Sequence, residues 1–279
     1  MTEGTAAGRL GPYRLYGELG RGAAGTVHLG RGSPRRGARR RLAAVRALRP
    51  ELLRDRQLRA RIRQEVRTVA DTVRSPYVAA PLGCELDTER PWTAVEFVPG
   101  VALAELVRQY GPLPEPSLRA LGGALARGLA ALHAAGVPHR ALRPANVLLT
   151  ADAPRTVDYG TAPVPGSADG TGSAADDILA LAALLRFAAT ARGDAAAPGA
   201  AGEPGLPGVP AGLRAVLLRC LQRDPGARPD AAALARALDL ADGAGRAASG
   251  WLPERYLRAI GAREEETRRL AGPRLFFGR

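Results

Sequence analysis

The chain has 279 residues, enough for one large two-lobed domain or two ordinary ones, and its 46% hydrophobic content supplies a sizeable core, which argues against disorder throughout. Its formal charge of +13 rests on 40 basic residues, every one an arginine, while Cys84 and Cys220 stand too far apart for a disulfide framework or zinc-type spacing. No basic-then-apolar leader opens the chain and its longest apolar run, 178–185, is far below membrane-spanning length, so a soluble protein of the reducing cytoplasm is expected.

Residues 1–12 read as an N-terminal extension. Alternating or continuous apolar runs at 13–20, 26–30 and 42–47, between Gly- and Arg-rich breaks, predict three strands, and the arginine-dense run 35–41 predicts an exposed hairpin loop. Leu53, Leu58, Ile62, Val66 and Val69 recur at helical spacing and predict one long helix over 51–73. Two further strands are predicted at 78–85 and 91–96. Beyond Pro99-Gly100 the period becomes helical, first over 102–109 and then over 116–135, where Leu118, Leu121, Leu125, Leu129 and Leu132 share a face and Gly136 supplies the stop. Later helices are predicted at 175–191, 211–221 and 230–240. Segment 193–210 is almost wholly Ala, Gly and Pro and predicts a flexible connection. The tail predicts a final helix over 253–270 before Leu275-Phe276-Phe277.

The glycine pattern Gly20-Arg21-Gly22-Ala23-Ala24-Gly25-Thr26-Val27 places missing side chains where backbone N–H groups can approach phosphate oxygens. A dinucleotide-binding fingerprint shares these glycines but opens a helix, whereas a strand is predicted here. Ala43-Ala44-Val45-Arg46 follows on the third strand and Glu65 on the long helix. Next come Val95-Glu96-Phe97-Val98-Pro99-Gly100, then His139-Arg140-Ala141-Leu142-Arg143-Pro144-Ala145-Asn146, then Asp158-Tyr159-Gly160. Asp177-Ile178-Leu179 and Arg223-Asp224-Pro225-Gly226-Ala227-Arg228-Pro229 complete the series. As an ordered set over about residues 13–241, these motifs resemble the serine/threonine protein kinase family, particularly its bacterial branch.

The resemblance implies an α+β fold of two lobes: a small antiparallel sheet with one long helix (13–96), a hinge (97–100) and a mainly helical lobe (101–241), with 242–279 as a tail. It also implies ATP and magnesium as cofactors. Gly20, Gly22, Gly25, Val27, Ala44, Arg46, Glu65 and the backbone of Glu96 and Val98 would serve the nucleotide, and Asn146 and Asp158 the metal. Asn146 is the only asparagine of the chain and falls in the metal-ligand position; its amide could equally tie the loop together by hydrogen bonds.

Four departures stand against ordinary kinase activity. Ala141 fills the position of the aspartate that takes the substrate hydroxyl proton, a loss of about 10²- to 10⁴-fold for a general base. Arg143 replaces a lysine that in the family clamps phosphate; apart from these four, Arg46 keeps the charge of the family's strand lysine on a longer, fork-shaped group. Residues 159–176 alone separate Asp158 from Asp177, without an A-P-E sequence, so Arg228 lacks the glutamate that it would pair with in the family. The Ala/Gly/Pro segment takes the place of a substrate-docking helix. The expectation is a pseudokinase that binds ATP and magnesium weakly and signals by conformation through a partner protein. A residually active kinase, with Asp152, Asp158 or substrate assistance in place of the lost base, is one alternative. A nucleotide-free basic scaffold for an acidic partner is another; a nucleic-acid partner is disfavoured, because no aromatic residues interleave the charges.

Overall fold

The structure is a computed structural model, and it describes residues 8–33, 39–159, 172–192, 206–239 and 250–271. The centre of the arginine-dense run, Gly160 of the Asp158 motif, most of the Ala/Gly/Pro segment and Leu275-Phe276-Phe277 lie outside the described residues. The backbone groups into two compact units. Among the described residues, one comprises 8–72, 79–99 and 264–271 and the other 73–78 and 100–263.

The first unit is built on strands β1 (Arg9–Leu10), β2 (Tyr13–Gly22), β3 (Gly25–Gly32), β4 (Arg41–Leu48), β5 (Pro81–Glu85) and β6 (Trp92–Glu96), with helix α1 (Arg56–Thr72) after β4. The sheet is antiparallel in the order β1-β2-β3-β4-β6-β5. Strand β1 falls within the stretch read as an extension: Arg9 and Leu10 pair with Arg14 and Tyr13, and Leu10 is buried. Two residues are too few to show a period, so the sequence pattern could not display it.

Strict alternation along β4 and β6 divides the sheet into two faces. Ala43, Val45, Trp92 and Ala94 join Leu10 and Tyr13 in one apolar cluster, where the Tyr13 and Trp92 rings meet edge to face at 5.5 Å. Leu48 belongs to the opposite face and packs with Ile62 and Val66 of α1, together with Leu53 and Leu86. Helix α1 begins later than its periodicity predicts. A short 3₁₀ turn, Pro50–Leu53, precedes it, and the Asp55 carboxylate accepts the Gln57 N–H at 2.8 Å, so an acidic cap restarts the chain.

The second unit contains β7 (Val101–Ala102), α2 (Leu103–Tyr110), α3 (Glu115–Ala134), β8 (Val147–Leu149), β9 (Pro154–Thr156), α4 (Ala174–Thr190), α5 (Ala211–Cys220), α6 (Ala231–Asp239) and α7 (Glu254–Ala271), the last continuing into the first unit at residue 264. Helix α3 is its axis. All five leucines of its predicted face are fully buried, and each such side chain contributes roughly 1.5–3 kcal/mol of transfer free energy. A Cβ at Gly122 would stand 2.9 Å from Leu185 of α4 and from Leu238 of α6, so the missing side chain lets these two helices approach α3 closely. Strands β7, β8 and β9 form a small antiparallel sheet. The strand predicted at 78–85 starts only at Pro81; Val78 instead bridges Thr156, within the second unit. An antiparallel N-terminal sheet carrying one long helix, followed by a mostly helical part, is the α+β architecture that the motifs imply.

Candidate functional site

The glycine pattern folds as the hairpin of β2 and β3, with Gly22 opposite Gly25. Its glycines are not equivalent. Gly25 has φ +146°, and a Cβ there would lie 1.9 Å from the Ala47 carbonyl oxygen, so this glycine is required by the hairpin itself. A Cβ at Gly20 or Gly22 would meet nothing within 4 Å, so the fold leaves the space over these two open.

On β4, Arg46 lies opposite Val27 of β3 and Thr93 of β6, and Ala44 opposite Leu29 and Val95. Directly opposed residues of antiparallel strands share a face. Val27, Ala44 and Arg46 therefore stand on one side of the sheet, the side that bears Leu48 and receives α1. Glu65 lies three residues after Ile62 and four before Val69, in the buried stripe that α1 presents to that side. In the hinge, the Glu96 N–H donates to Ala80 at 2.8 Å and the Phe97 N–H to Leu42 at 3.4 Å. Val98 is 4% exposed, and its N–H has no acceptor among the described residues. A backbone N–H without a protein acceptor can serve as a donor to a ligand.

In the second unit the loop 139–146 is held by its backbone. The Asp177 carboxylate, 1% exposed, accepts the His139 N–H at 2.7 Å and the Arg140 N–H at 2.8 Å, and lies 2.8 Å from His133 Nε2. The motif series includes Asp177 at the head of a helix but assigns it no role in this loop. Burial pushes the His139 imidazole below the ordinary histidine range, against the pull of the Asp177 carboxylate. Its ring meets Tyr159 edge-on at 6.2 Å. Arg140 and Asp158 adopt left-handed φ values of 61° and 64°, a conformation that non-glycine residues hold only where surroundings impose it.

Ala141 presents a methyl group where a proton acceptor is needed for general-base chemistry. Its N–H donates to the His139 carbonyl at 2.8 Å, and its carbonyl accepts the Asn146 Nδ2 amide at 2.8 Å. The amide of Asn146 thus ties the loop, while its Oδ1 has no donor among the described residues and remains available. The Asn146 carbonyl in turn accepts the Val157 N–H at 2.9 Å, which draws Asn146 and the approach to Asp158 together. A side-chain amide oxygen and a carboxylate are hard oxygen donors of the kind that share a magnesium ion with phosphate oxygens, so these residues fit that cation.

One candidate substitute base is set aside by its position. Asp152 lies in the exposed turn that joins β8 to β9, at the closed end of the hairpin, whereas Ala141 and Asn146 precede its open end. At about 3.3 Å per residue the length of β8 separates them, so closeness in sequence does not make Asp152 a substitute base. In place of the glutamate of the family pattern, the Arg228 guanidinium donates to the Gln222 carbonyl at 3.0 Å, the Ala175 carbonyl at 2.9 Å and the Asp176 carboxylate at 3.3 Å. Asp176 also completes a capping box with Ser173 at the start of α4, a pairing the S-x-x-D spacing could have disclosed. Arg143 is exposed, and its carbonyl accepts the Asn146 N–H.

Comparison with known proteins decides the family. The model of the protein kinase domain matches residues 13–171, more than half of the chain. The chain belongs to the protein kinase family. This kinase domain is 37% identical over 154 residues to the serine/threonine-protein kinase AfsK of Streptomyces griseus, covering 55% of the chain and 18% of AfsK. It is 39% identical over 155 residues to the probable serine/threonine-protein kinase PkwA of Thermomonospora curvata, with 56% and 20% covered. With the serine/threonine-protein kinase PknE of Mycobacterium tuberculosis the identity is 34% over 156 residues, with 54% and 26% covered. The matched stretch therefore spans about a fifth to a quarter of these relatives. The family match ends before Asp177 and Arg228, whose surroundings are known from the fold alone. Among the described residues, no helix is long and apolar enough to cross a membrane.

Proposed function

We propose that this kinase domain is a pseudokinase: a nucleotide-binding regulator that holds ATP with magnesium weakly and passes phosphate poorly or not at all. The observation that carries the reading is the contrast within one loop. Asp177 and Asn146 hold its backbone, yet position 141 bears a methyl group that can neither take a proton nor orient a hydroxyl.

The nucleotide-facing residues would be Gly20, Gly22, Gly25, Val27, Ala44, Arg46, Glu65 and the hinge backbone at Glu96 and Val98, with the unpaired Val98 N–H as donor to the base. Asn146 and Asp158 would hold the magnesium ion, which supplies charge neutralisation to the phosphates when bound. Arg46 keeps a positive charge on the nucleotide-facing side of the sheet, although its fork-shaped head would place that charge differently from an ammonium. Output would be conformational and limited by the difference in nucleotide affinity between the states that a partner distinguishes. The excess of arginine suits a protein partner with an acidic surface, and a cytoplasmic setting suits both nucleotide and unpaired cysteines.

Isothermal titration of Mg-ATP into the wild type and into Asp158→Ala tests the reading. Weak binding that the substitution removes supports it. No heat at millimolar nucleotide would sink the nucleotide part and leave a basic scaffold. Magnesium-dependent phosphate transfer to a protein substrate, abolished by Asp158→Ala, would instead make the domain a working kinase.

A further inference from the structure

We propose that residues 250–263 are a built-in brace for the hairpin that carries Asn146 and Asp158, and that Trp251 is the positioning residue that pins it. The inference rests on the metal role given above to those two residues. Asn146 immediately precedes β8, Asp158 follows β9 by two residues, and the Val157 N–H to Asn146 carbonyl bond joins them across the open end. Their spacing is therefore set by how the β8–β9 hairpin is held.

The hairpin cannot hold itself. Its ladder has three residue pairs, Val147 with Thr156, Leu148 with Arg155 and Leu149 with Pro154, and so short a ribbon is at best marginal in water. At the closed end, Thr150 Oγ1 donates to the Ala153 carbonyl at 2.8 Å and accepts the Ala153 N–H at 3.1 Å, which closes the turn locally but does not place it. Strand β7, paired with Leu148 and Leu149, and the Tyr77 carbonyl, which accepts the Thr156 N–H at 2.8 Å, place the body of the hairpin, and the tail places its tip. Trp251 Nε1 donates to the Ala151 carbonyl at 3.1 Å, and the Trp251 carbonyl accepts the hydroxyl of Ser117, a buried residue in the first turn of α3, at 2.6 Å. One residue thus links the tip of the hairpin to the central helix of the unit.

The tail is itself firmly seated. Trp251, Leu252, Tyr256 and Ile260 are all under 9% exposed and belong to the main apolar cluster. The Tyr256 hydroxyl donates to the Gly111 carbonyl at 2.5 Å, Arg255 to the Pro112 carbonyl at 3.2 Å, and Arg263 pairs with Glu105 at 3.1 Å. Four large buried side chains make a constitutive element rather than a releasable arm.

Trp251→Phe keeps an aromatic body in the pocket and removes only the indole N–H, and Ser117→Ala removes the second tie. The measurements are amide hydrogen exchange at Ala153 and Val157, and the gain in ATP affinity on adding magnesium. Each variant is expected to speed exchange at those amides by about 3- to 10-fold, the scale of one hydrogen bond. The magnesium-dependent gain should shrink by a similar factor, with metal-free ATP affinity unchanged. Exchange that stays at the wild-type rate in both variants overturns the brace. Faster exchange with an undiminished magnesium gain overturns the positioning role. If the wild type itself shows no magnesium gain, the metal reading fails, and exchange alone then decides the brace.

Discussion

A methyl group at position 141 removes a proton acceptor without loosening the loop that carries it, because Asp177 and Asn146 hold that loop by its main chain. Restoring the acceptor is therefore a small change in a fixed frame. Ala141→Asp is expected to raise magnesium-dependent ATP hydrolysis by about 10²-fold or more over the parent chain, followed as inorganic phosphate release. Transfer to a generic peptide should stay at background, since the segment between Asp158 and Asp177 remains short. A neighbouring residue sets the pH behaviour. His139 is fully buried, and that burial depresses its folded pKa below the unfolded value of about 6.5. The stability linked to this depressed value is complete above pH ~6.5 and is lost as pH falls toward the folded pKa. Urea unfolding at pH 7.5 and 5.5 should show the wild type weakening on acidification more than His139→Asn does.

At the scale of the element, the glycine hairpin separates two demands that the sequence motif merges. Gly25 answers to the fold, through its positive φ and the nearby Ala47 carbonyl, whereas Gly22 faces open space. Gly25→Ala should cost about 2–4 kcal/mol in chemical denaturation, the scale of a positive-φ substitution compounded by overpacking. Gly22→Ala should leave stability within about 0.5 kcal/mol and weaken ATP binding instead. The same scale shows what the sequence could disclose. Long elements were readable because five leucines of α3 or the alternation of β4 repeat enough times to define a face. Strands β1, β7, β8 and β9, of two or three residues, contain less than two periods of any pattern. The start of α1 was hidden because Asp55 caps a helix in the middle of an apolar period that continues through Leu53. At the site, motif order gave the identities of Ala141, Asn146 and Asp158, but the partners of Arg228, the bonds of Asp177 and the tie from Trp251 depend on residues far away in sequence. Those relations are products of packing, and a linear pattern does not encode them legibly.

For the whole molecule, charge competes with the site for the same ligand. Forty arginines against 27 acidic residues leave an excess that one-to-one pairing within the chain cannot neutralise, even though Arg59 and Arg63 share Asp87, and Arg127 and Arg263 have carboxylate partners. ATP is a polyanion, and a surface of this sign will attract it wherever arginines gather, with or without magnesium. The two kinds of binding differ in their response to salt, because exposed charges are screened over a Debye length of about 10 Å at 0.1 M, falling to about 3 Å at 1 M, and partly buried ones much less. At low ionic strength the titration of ATP should therefore contain a component that needs no magnesium, persists in Asp158→Ala and fades by roughly 0.3 M salt. A second component should survive that salt, require magnesium and vanish in Asp158→Ala. Fluorescence titration of a labelled ATP analogue across this salt series resolves them. If every trace of binding fades with salt and ignores Asp158, the arginine surface accounts for all of it and the nucleotide reading of the fold falls with it.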